Sequence, residues 1–451
     1  MQERSNKLYE VMDPVRLFFH VALPGVVSMF SMSIYNIIEG IFVGQFIGGA
    51  AFAAMNLAMP LVMLNYALAD MVGVGSSIPI SIALGEKNDK KANNYFSCCV
   101  ISIFSLAALM SVLLYAGAPL FMRLMGAEPE VAMLAVQYLR VSALFSPFVT
   151  IVFAMDNFLR ISGFVKLSMY LNLFMSFLQV VLLILFVGVL RLGLMGSAIS
   201  INMAMALCGF LALIPFLLKK TVLRFQKPSF SFSMMKEVAA CGMPMFLNNM
   251  AGRLFSVIMN VLLIRLGGTL AVSAFSVLMY ASELVSPMLY GLCDSMQPAI
   301  GYNWGAKAFD RVKALAKCVF TASAVVSLAA VAFNMIFAPF LVSVFVDSAD
   351  TALRELSVHA LRVYSVKFFF WWFGFSALGF YNAIEKPRNA TILTLSNVIL
   401  FPLLMVAVLW PLGLDGLWLN QAATYIPVAI LSFVMLRKTQ KEIGRMKKEQ
   451  E

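Results

Sequence analysis

Residues 33–48 read SIYNIIEGIFVGQFIG, and they close the first long apolar run of the chain, 17–46. That run holds His20 near its start and a single acid, Glu39. An ionised carboxylate inside hydrocarbon costs several kcal/mol. A chain keeps one there when it faces a bundle interior, a water-filled cavity or a partner charge. Gly40, Gly44 and Gly48 recur every fourth residue, so one helix face lacks side chains and a neighbouring helix is expected to approach it closely. This stretch is therefore read as the end of a membrane-spanning helix that carries a functional or buried acid.

The rest of the chain has the same character. Its 451 residues are 61% hydrophobic and only 12% charged, against about 25% charged in an average soluble domain, and the mean hydropathy is +0.89. The apolar runs have the length that crosses a bilayer as helix, and the ten-residue alternation of a membrane β-barrel is missing. Breaks in apolarity predict about twelve transmembrane helices, near 17–43, 50–82, 95–118, 131–158, 165–190 and 194–218, then 238–265, 270–300, 314–341, 356–382, 390–411 and 416–436. An N-terminal lobe over 1–218, a basic cytoplasmic linker over 219–236, a C-terminal lobe over 237–437 and a charged tail over 438–451 follow from this division. The tail is expected as a charged helix end or a disordered segment.

The formal net charge is +11, which in a soluble chain would suggest nucleic acid. Here the charges sit in the connections between spans. Arg4, Lys7 and Arg16 precede the first span, and Lys87, Lys90, Lys91, Arg160, Lys166, Lys219 and Lys220 occupy the even-numbered connections. Lys307, Arg311, Lys386 and Arg388 repeat the pattern in the second half, and Arg437 to Lys448 complete it, whereas the odd connections hold only Arg123, Arg191, Arg265 and Arg354. Basic residues accumulate on the cytoplasmic side, so both termini are expected inside, with an uncleaved first helix. No basic and aromatic patch outside the spans suits nucleic acid. The six cysteines show neither metal spacing nor a secreted disulfide framework, and they read as packing residues.

The two halves repeat. Pro24 and Pro244, Gly85 and Gly305, and the GLMG at Gly193 and GLDG at Gly413 stand 220 residues apart. Pro79 and Pro298, and the Leu-Arg-Val at Leu139 and Leu361, hold nearly the same offset. Each half has an even number of spans, so the repeat is parallel, about a pseudo-two-fold axis along the membrane normal. Secondary transporters use this arrangement.

At these residues the chain resembles a known family, the multidrug and toxic compound extrusion transporters. YNIIEGIFVGQFIG at Tyr35 is similar to that family's helix-one pattern, and VGVGSSIPISIALGEKN at Val72 to its glycine-rich helix two. NFLRISG at Asn157 and QPAIGYNWGAK at Gln297 resemble two further family motifs. The resemblance covers nearly the whole chain. It implies a twelve-helix antiporter that exports amphipathic, often cationic, compounds in exchange for protons or sodium, with no other cofactor. GLCDSMQP at Gly291 resembles the branch with an acid on helix eight. Where many members carry an Asn and an Asp on helix five, this chain has Met175 and Gln179, and where another branch has acids on helices seven and ten it has Arg253 and Lys367.

The intramembrane charges are the candidate site. Glu39 reads as the ion-coupling carboxyl, able to take up and release a proton in each cycle, or as an acid hydrogen-bonded within the lobe. Asp70 on helix two and Gln179 on helix five join it as coupling candidates, Asp70 with a structural role as its alternative. Asp156 and Arg160 stand at i, i+4 with the acid first and read as a structural ion pair, with a place in the substrate cavity's charge network as the alternative. Glu283, Pro287, Tyr290 and Asp294 fall at i, i+4, i+7 and i+11, so they are expected to share one face of helix eight. Arg253 and Lys367 are natural counter-charges for those two acids. Beside Lys367 runs FFFWWFGF, of which Tyr364, Lys367 and Trp371 share a face that suits flat cations.

Three function classes compete for this pattern. An antiporter for drugs or organic cations fits the surplus of intramembrane acids. A flippase for lipid-linked saccharides would favour a strongly cationic cavity. A membrane prenyl or phosphoryl transferase would need paired carboxylates or a histidine cluster, and neither occurs. A nucleotide-driven pump lacks its phosphate-binding loop. The chain therefore reads as a transporter rather than an enzyme, a monomer in the cell membrane whose partners are lipid and small organic substrates.

Overall fold

The computed structural model describes residues 7–346 and 350–449. Arg4, the last two residues of the tail and the surroundings of Gly44 lie outside the described residues. All regular structure among those residues is helical. Nine continuous helical runs are long and apolar enough to cross a membrane. Two of these runs are broken internally, at Gly268 and at Gly413, and supply two spans each; the paired helices Thr351–Ser365 and Phe368–Ala383, outside the nine, supply the twelfth.

The first half holds α1 (Pro14–Phe42), α2 (Gly49–Gly85), α3 (Asp89–Leu124), α4 (Pro129–Ile161), α5 (Val165–Val189) and α6 (Gly193–Leu217). The run Phe232–Ser282 is interrupted at Gly268, where φ is 64°, so it supplies α7 (232–267) and the start of α8 (269–305). Then come α9 (Phe309–Phe345), α10 (351–383), α11 (387–412) and α12 (Gly413–Lys448). Gly413, at φ 58°, separates the last two. Both breaks fall in connections expected from the hydropathy, and both need a backbone conformation that glycine adopts without a Cβ penalty. The charged tail continues α12 as helix to Lys448.

Local chemistry sets the ends. Asp13 Oδ1 accepts from the backbone N–H of Val15 and Arg16 at 3.0 and 3.2 Å, with Pro14 at the first helical position, a combination that starts a helix. Asn88 caps α3 in the same way through Lys91 N–H. At the other end of α1 the chain widens into a π-turn over Val43–Ile47, and Gly48 takes φ 107°. Nothing lies within 4 Å of a Cβ built there. The glycine stripe therefore does not receive a neighbouring helix at Gly48; that residue makes the turn into α2.

The sequence repeat reappears in the backbone. Gly48 and Gly268, Lys87 and Lys307, and Gly193 and Gly413 are pairs 220 residues apart, and all six have positive φ. Side chains differ between the halves while the turns keep their conformations.

Two compact units emerge from the packing. One comprises 7–12 and Val27–Phe246, the other Asp13–Val26 and 247–449. In the first unit, the basic segment 219–231 is stitched onto the start of α3. Asn93 and Ser97 side chains accept from Arg224 N–H and Gln226 N–H at 2.7 and 3.0 Å, and Asn94 exchanges bonds with Ser229. The predicted linker is thus an ordered strap. Its Leu223 is fully buried.

Glycines bring helices together within each unit. A Cβ on Gly242 would lie 1.9 Å from the Met71 carbonyl oxygen, and one on Gly75 would lie 2.2 Å from that of Val238. In the second unit, Gly291 meets Val26 Cα at 2.6 Å by the same construction. Backbone cannot yield as a side-chain tip can, so Gly242→Leu should destabilise by at least ~3 kcal/mol, the upper end of ordinary overpacking. Gly444→Leu, with open space around it, should be neutral. Thermal melting of the two purified variants checks this; equal midpoints would contradict it.

Candidate functional site

In the first unit the site forms around Glu39, which is 3% exposed. Three turns of α1 beyond Ser28 carry it into a core that includes Met55, Tyr138, Leu139 and Ala198. Ser197, at the start of α6, donates to Glu39 Oε1 at 2.7 Å. Tyr35 from the preceding turn, Tyr66 from α2 and Tyr138 from α4 all stand within electrostatic reach of the carboxylate. Hydroxyls therefore surround the group, and among the described residues no basic side chain pairs with it. An uncompensated ionised carboxylate at this depth is unfavourable by several kcal/mol.

Asp156 and Arg160 lie on the last turns of α4. Their ion pair is 2.7 Å long, and Arg160 is 2% exposed. Asp156 Oδ1 also accepts from Ser168 and from Asn172 Nδ2, the latter at 2.8 Å, while Arg160 Nε donates to Ser168 Oγ at 3.1 Å. Tyr9 donates to the Arg160 carbonyl. This saturated network ties α4 to α5 and to the segment before α1. Gln179 lies buried on α5, at 4% exposure, one turn beyond Ser176, whose hydroxyl is 3.3 Å from that of Ser31. Asp70 is half-buried on α2.

The second unit assembles a different site. Lys367, 6% exposed, sits at the break between the two halves of α10. Its Nζ lies 3.9 Å from the Tyr364 ring centroid, 4.9 Å from that of Phe368 and 5.9 Å from that of Trp371. Ser282 Oγ accepts from it at 3.4 Å. The aromatic surface continues through Phe375, Tyr290 and Tyr425, with Tyr290 and Phe375 centroids 4.6 Å apart and Trp371 and Tyr425 6.3 Å apart. Tyr290 Oη accepts from Asn248 Nδ2 at 3.3 Å, and Asp294 Oδ1 accepts from Gln297 Nε2 at 3.0 Å. Glu283 acts electrostatically on both Lys367 and Arg253.

One expectation about this site changes. Glu283 does not share a continuous helical stripe with Tyr290 and Asp294. Helix α8 is broken by turns at 283–285 and resumes at Ser286 with Pro287 next in line. Proline has no N–H to offer the preceding turn and is accommodated at a helix start. Glu283 is therefore exposed at the break, as is Arg253 on α7, while Tyr290 and Asp294 keep their i, i+4 relation.

Several partners at these sites were invisible in the sequence pattern. Ser197 is 158 residues from Glu39, and only its place in the small-residue run GSAIS hinted at close packing. Tyr66, Tyr138 and Tyr425 stood out only as hydroxyl-bearing rings in apolar spans. The Lys367 cage was partly legible, since Tyr364 and Trp371 flank it at helical spacing.

Comparisons with known proteins agree with this architecture. A family model, MatE, matches residues 24–185 and again 244–408, from α1 into α5 and from α7 into α11, so the two halves carry the same pattern. The multidrug export protein MepA of Staphylococcus aureus is 23% identical over 411 residues, 90% of each chain. The Staphylococcus haemolyticus MepA is 24% identical over the same length and coverage. Among solved structures, a multidrug resistance MATE family transporter of the MOP superfamily in an outward-facing conformation aligns with a TM-score of 0.92 at 23% identity, over 97% of this chain and 98% of its own. A MOP superfamily transporter from Pyrococcus furiosus, with a binding pocket of reverse polarity that suggests a different function, aligns with a TM-score of 0.91 at 22% identity, over 98% of each chain.

Proposed function

We propose that the chain, which belongs to the MatE family of multi-pass membrane transporters, is an antiporter that exports amphipathic organic cations in exchange for protons or sodium by alternating access. The observation that carries this reading is Glu39: a buried carboxylate held by a serine hydroxyl, with tyrosines near it and no basic partner among the described residues. Multidrug export by the MepA proteins, to which the chain is similar over nine-tenths of its length, supports the substrate class.

Glu39 carries the coupling ion in this account, with Gln179 and Asp70 on the same unit as secondary polar ligands. Asp156 and Arg160 brace that unit. The aromatic surface around Lys367, with Tyr290, Trp371, Asp294, Glu283 and Arg253, forms the substrate-side network. Both termini are cytoplasmic, because the connections rich in lysine and arginine share their side. Exchange of one proton or sodium ion for one singly charged organic cation moves no net charge, so the concentration gradient of the ion is the drive, about 1.4 kcal/mol for each tenfold ratio.

Proteoliposomes loaded with a fluorescent organic cation, under a proton gradient or a sodium gradient imposed separately, test this. Efflux driven by one of the two gradients is expected. No efflux under either gradient would overturn the antiporter and favour a flippase for lipid-linked saccharides, which is assayed in the same vesicles.

Lys367 makes a separate prediction. Its ammonium occupies the ring faces that an organic cation would use. Lys367→Met should raise the affinity for tetraphenylphosphonium by about two- to fivefold, the size of one cation–π contact. Titration of Trp fluorescence measures this, and an unchanged dissociation constant would remove the aromatic surface from the substrate path.

A further inference from the structure

A second basic and aromatic feature lies away from both clusters, among α9, α10 and α12. A groove of about 720 Å³ is lined by Lys313, Lys317, Phe320, Phe373, Phe433 and Arg437, among others. Lys313, Lys317 and Phe320 fall at i, i+4 and i+7 on α9, and Phe433 and Arg437 at i, i+4 on α12. The floor is aromatic, with Phe320 and Phe373 edge to face at 5.5 Å. The rim is cationic, and the Arg437 guanidinium is already seated over the Phe433 ring at 4.4 Å.

Three observations say what the groove takes. Lys313, Lys317 and Arg437 are exposed, and among the described residues none has an ion-pair partner. The acids nearby on the same two helices form their ion pairs with other residues, Asp310 with Lys447 at 2.9 Å and Glu442 with Lys386, although Asp310 also feels the charge of Lys313. The three cations also stand where the spans leave hydrocarbon. No charged residue follows Lys317 on α9, and none precedes Arg437 on α12 back to Asp415. That is the depth of the lipid phosphates. Arginine and lysine donors suit phosphate oxygens, and basic pockets between spanning helices on the cytoplasmic side hold anionic headgroups.

We propose that this groove is a binding site for one anionic diacyl phospholipid, its phosphate on Lys313, Lys317 and Arg437 and an acyl chain along Phe320, Phe373 and Phe433. The site shares no lining residue with the aromatic surface around Lys367. It depends on the membrane reading of the chain and not on the coupling mechanism.

Native mass spectrometry of the full chain, released from micelles containing equal phosphatidylglycerol and phosphatidylcholine, tests this. One phosphatidylglycerol should be retained in preference to phosphatidylcholine. Each basic residue near an anionic surface contributes about fivefold in affinity, so Lys313→Gln/Lys317→Gln/Arg437→Gln should weaken retention by well over tenfold. Lys219→Gln/Lys220→Gln/Arg224→Gln, an equal charge loss on the strap, should leave it unchanged. Glycerol phosphate in excess should fail to displace the lipid, because the aromatic floor holds the chains. Retention that ignores the headgroup, survives the first triple variant, falls equally in the second or yields to glycerol phosphate would overturn the assignment.

Discussion

Glu39→Gln should abolish gradient-driven efflux, by about a hundredfold or more, while leaving the protein folded. Glutamine keeps the shape of the side chain, and its amide oxygen still accepts from Ser197, so the hydrogen bond at 2.7 Å has a substitute. What disappears is the group that can alternate between a carboxylate bound to a cation and a neutral acid. A neutral amide in a 3% exposed position adds no buried charge, so the melting temperature should hold or rise. Efflux in proteoliposomes and thermal melting together separate the two effects. Normal efflux in the variant would transfer coupling to Asp70 or to the acids of the second unit. Ser197→Ala, which removes only the hydrogen-bond donor, should reduce the rate with a smaller effect.

Asp156→Ala should destabilise the first unit by about 3–5 kcal/mol, the usual result of leaving one partner of a buried ion pair alone. Arg160 is 2% exposed, and it would lose its 2.7 Å partner while Ser168 and Asn172 lose their acceptor. The double variant Asp156→Ala/Arg160→Met should recover much of that loss, since replacing both charges removes the unpaired one. Differential scanning fluorimetry of the single and double variants reads this directly. Efflux per folded molecule should be unchanged in the double variant; loss of transport there would mean that the pair lies on the ion or substrate path.

The spans were legible because hydropathy and the 220-residue offset between the halves report the same division. Gly268 and Gly413 sit where the apolar runs pause, so their positive φ values coincide with connections already expected. Asp156 and Arg160 were legible because four residues on a helix guarantee proximity. Glu283 was not, because the argument for its stripe assumed an unbroken helix and Pro287 starts a new one. Gly48 was misjudged for a related reason: a four-residue glycine spacing implies a close-packed face only while the helix continues, and α1 has already ended at Phe42. The environment of Glu39 depends on Ser197, Tyr66 and Tyr138, which only the tertiary fold brings near, so its burial could be argued from energetics but its partners could not be named.

The central claim is that Glu39 exchanges its coupling ion for substrate. Substrate-induced ion release from purified protein tests it most directly: tetraphenylphosphonium is added to the wild type and to Glu39→Gln in weakly buffered solution with a pH indicator, and in parallel after loading with radioactive sodium. The account predicts about one proton or one sodium ion released per transporter in the wild type, and none in Glu39→Gln. Release of neither ion from the wild type, or equal release from both proteins, would contradict it.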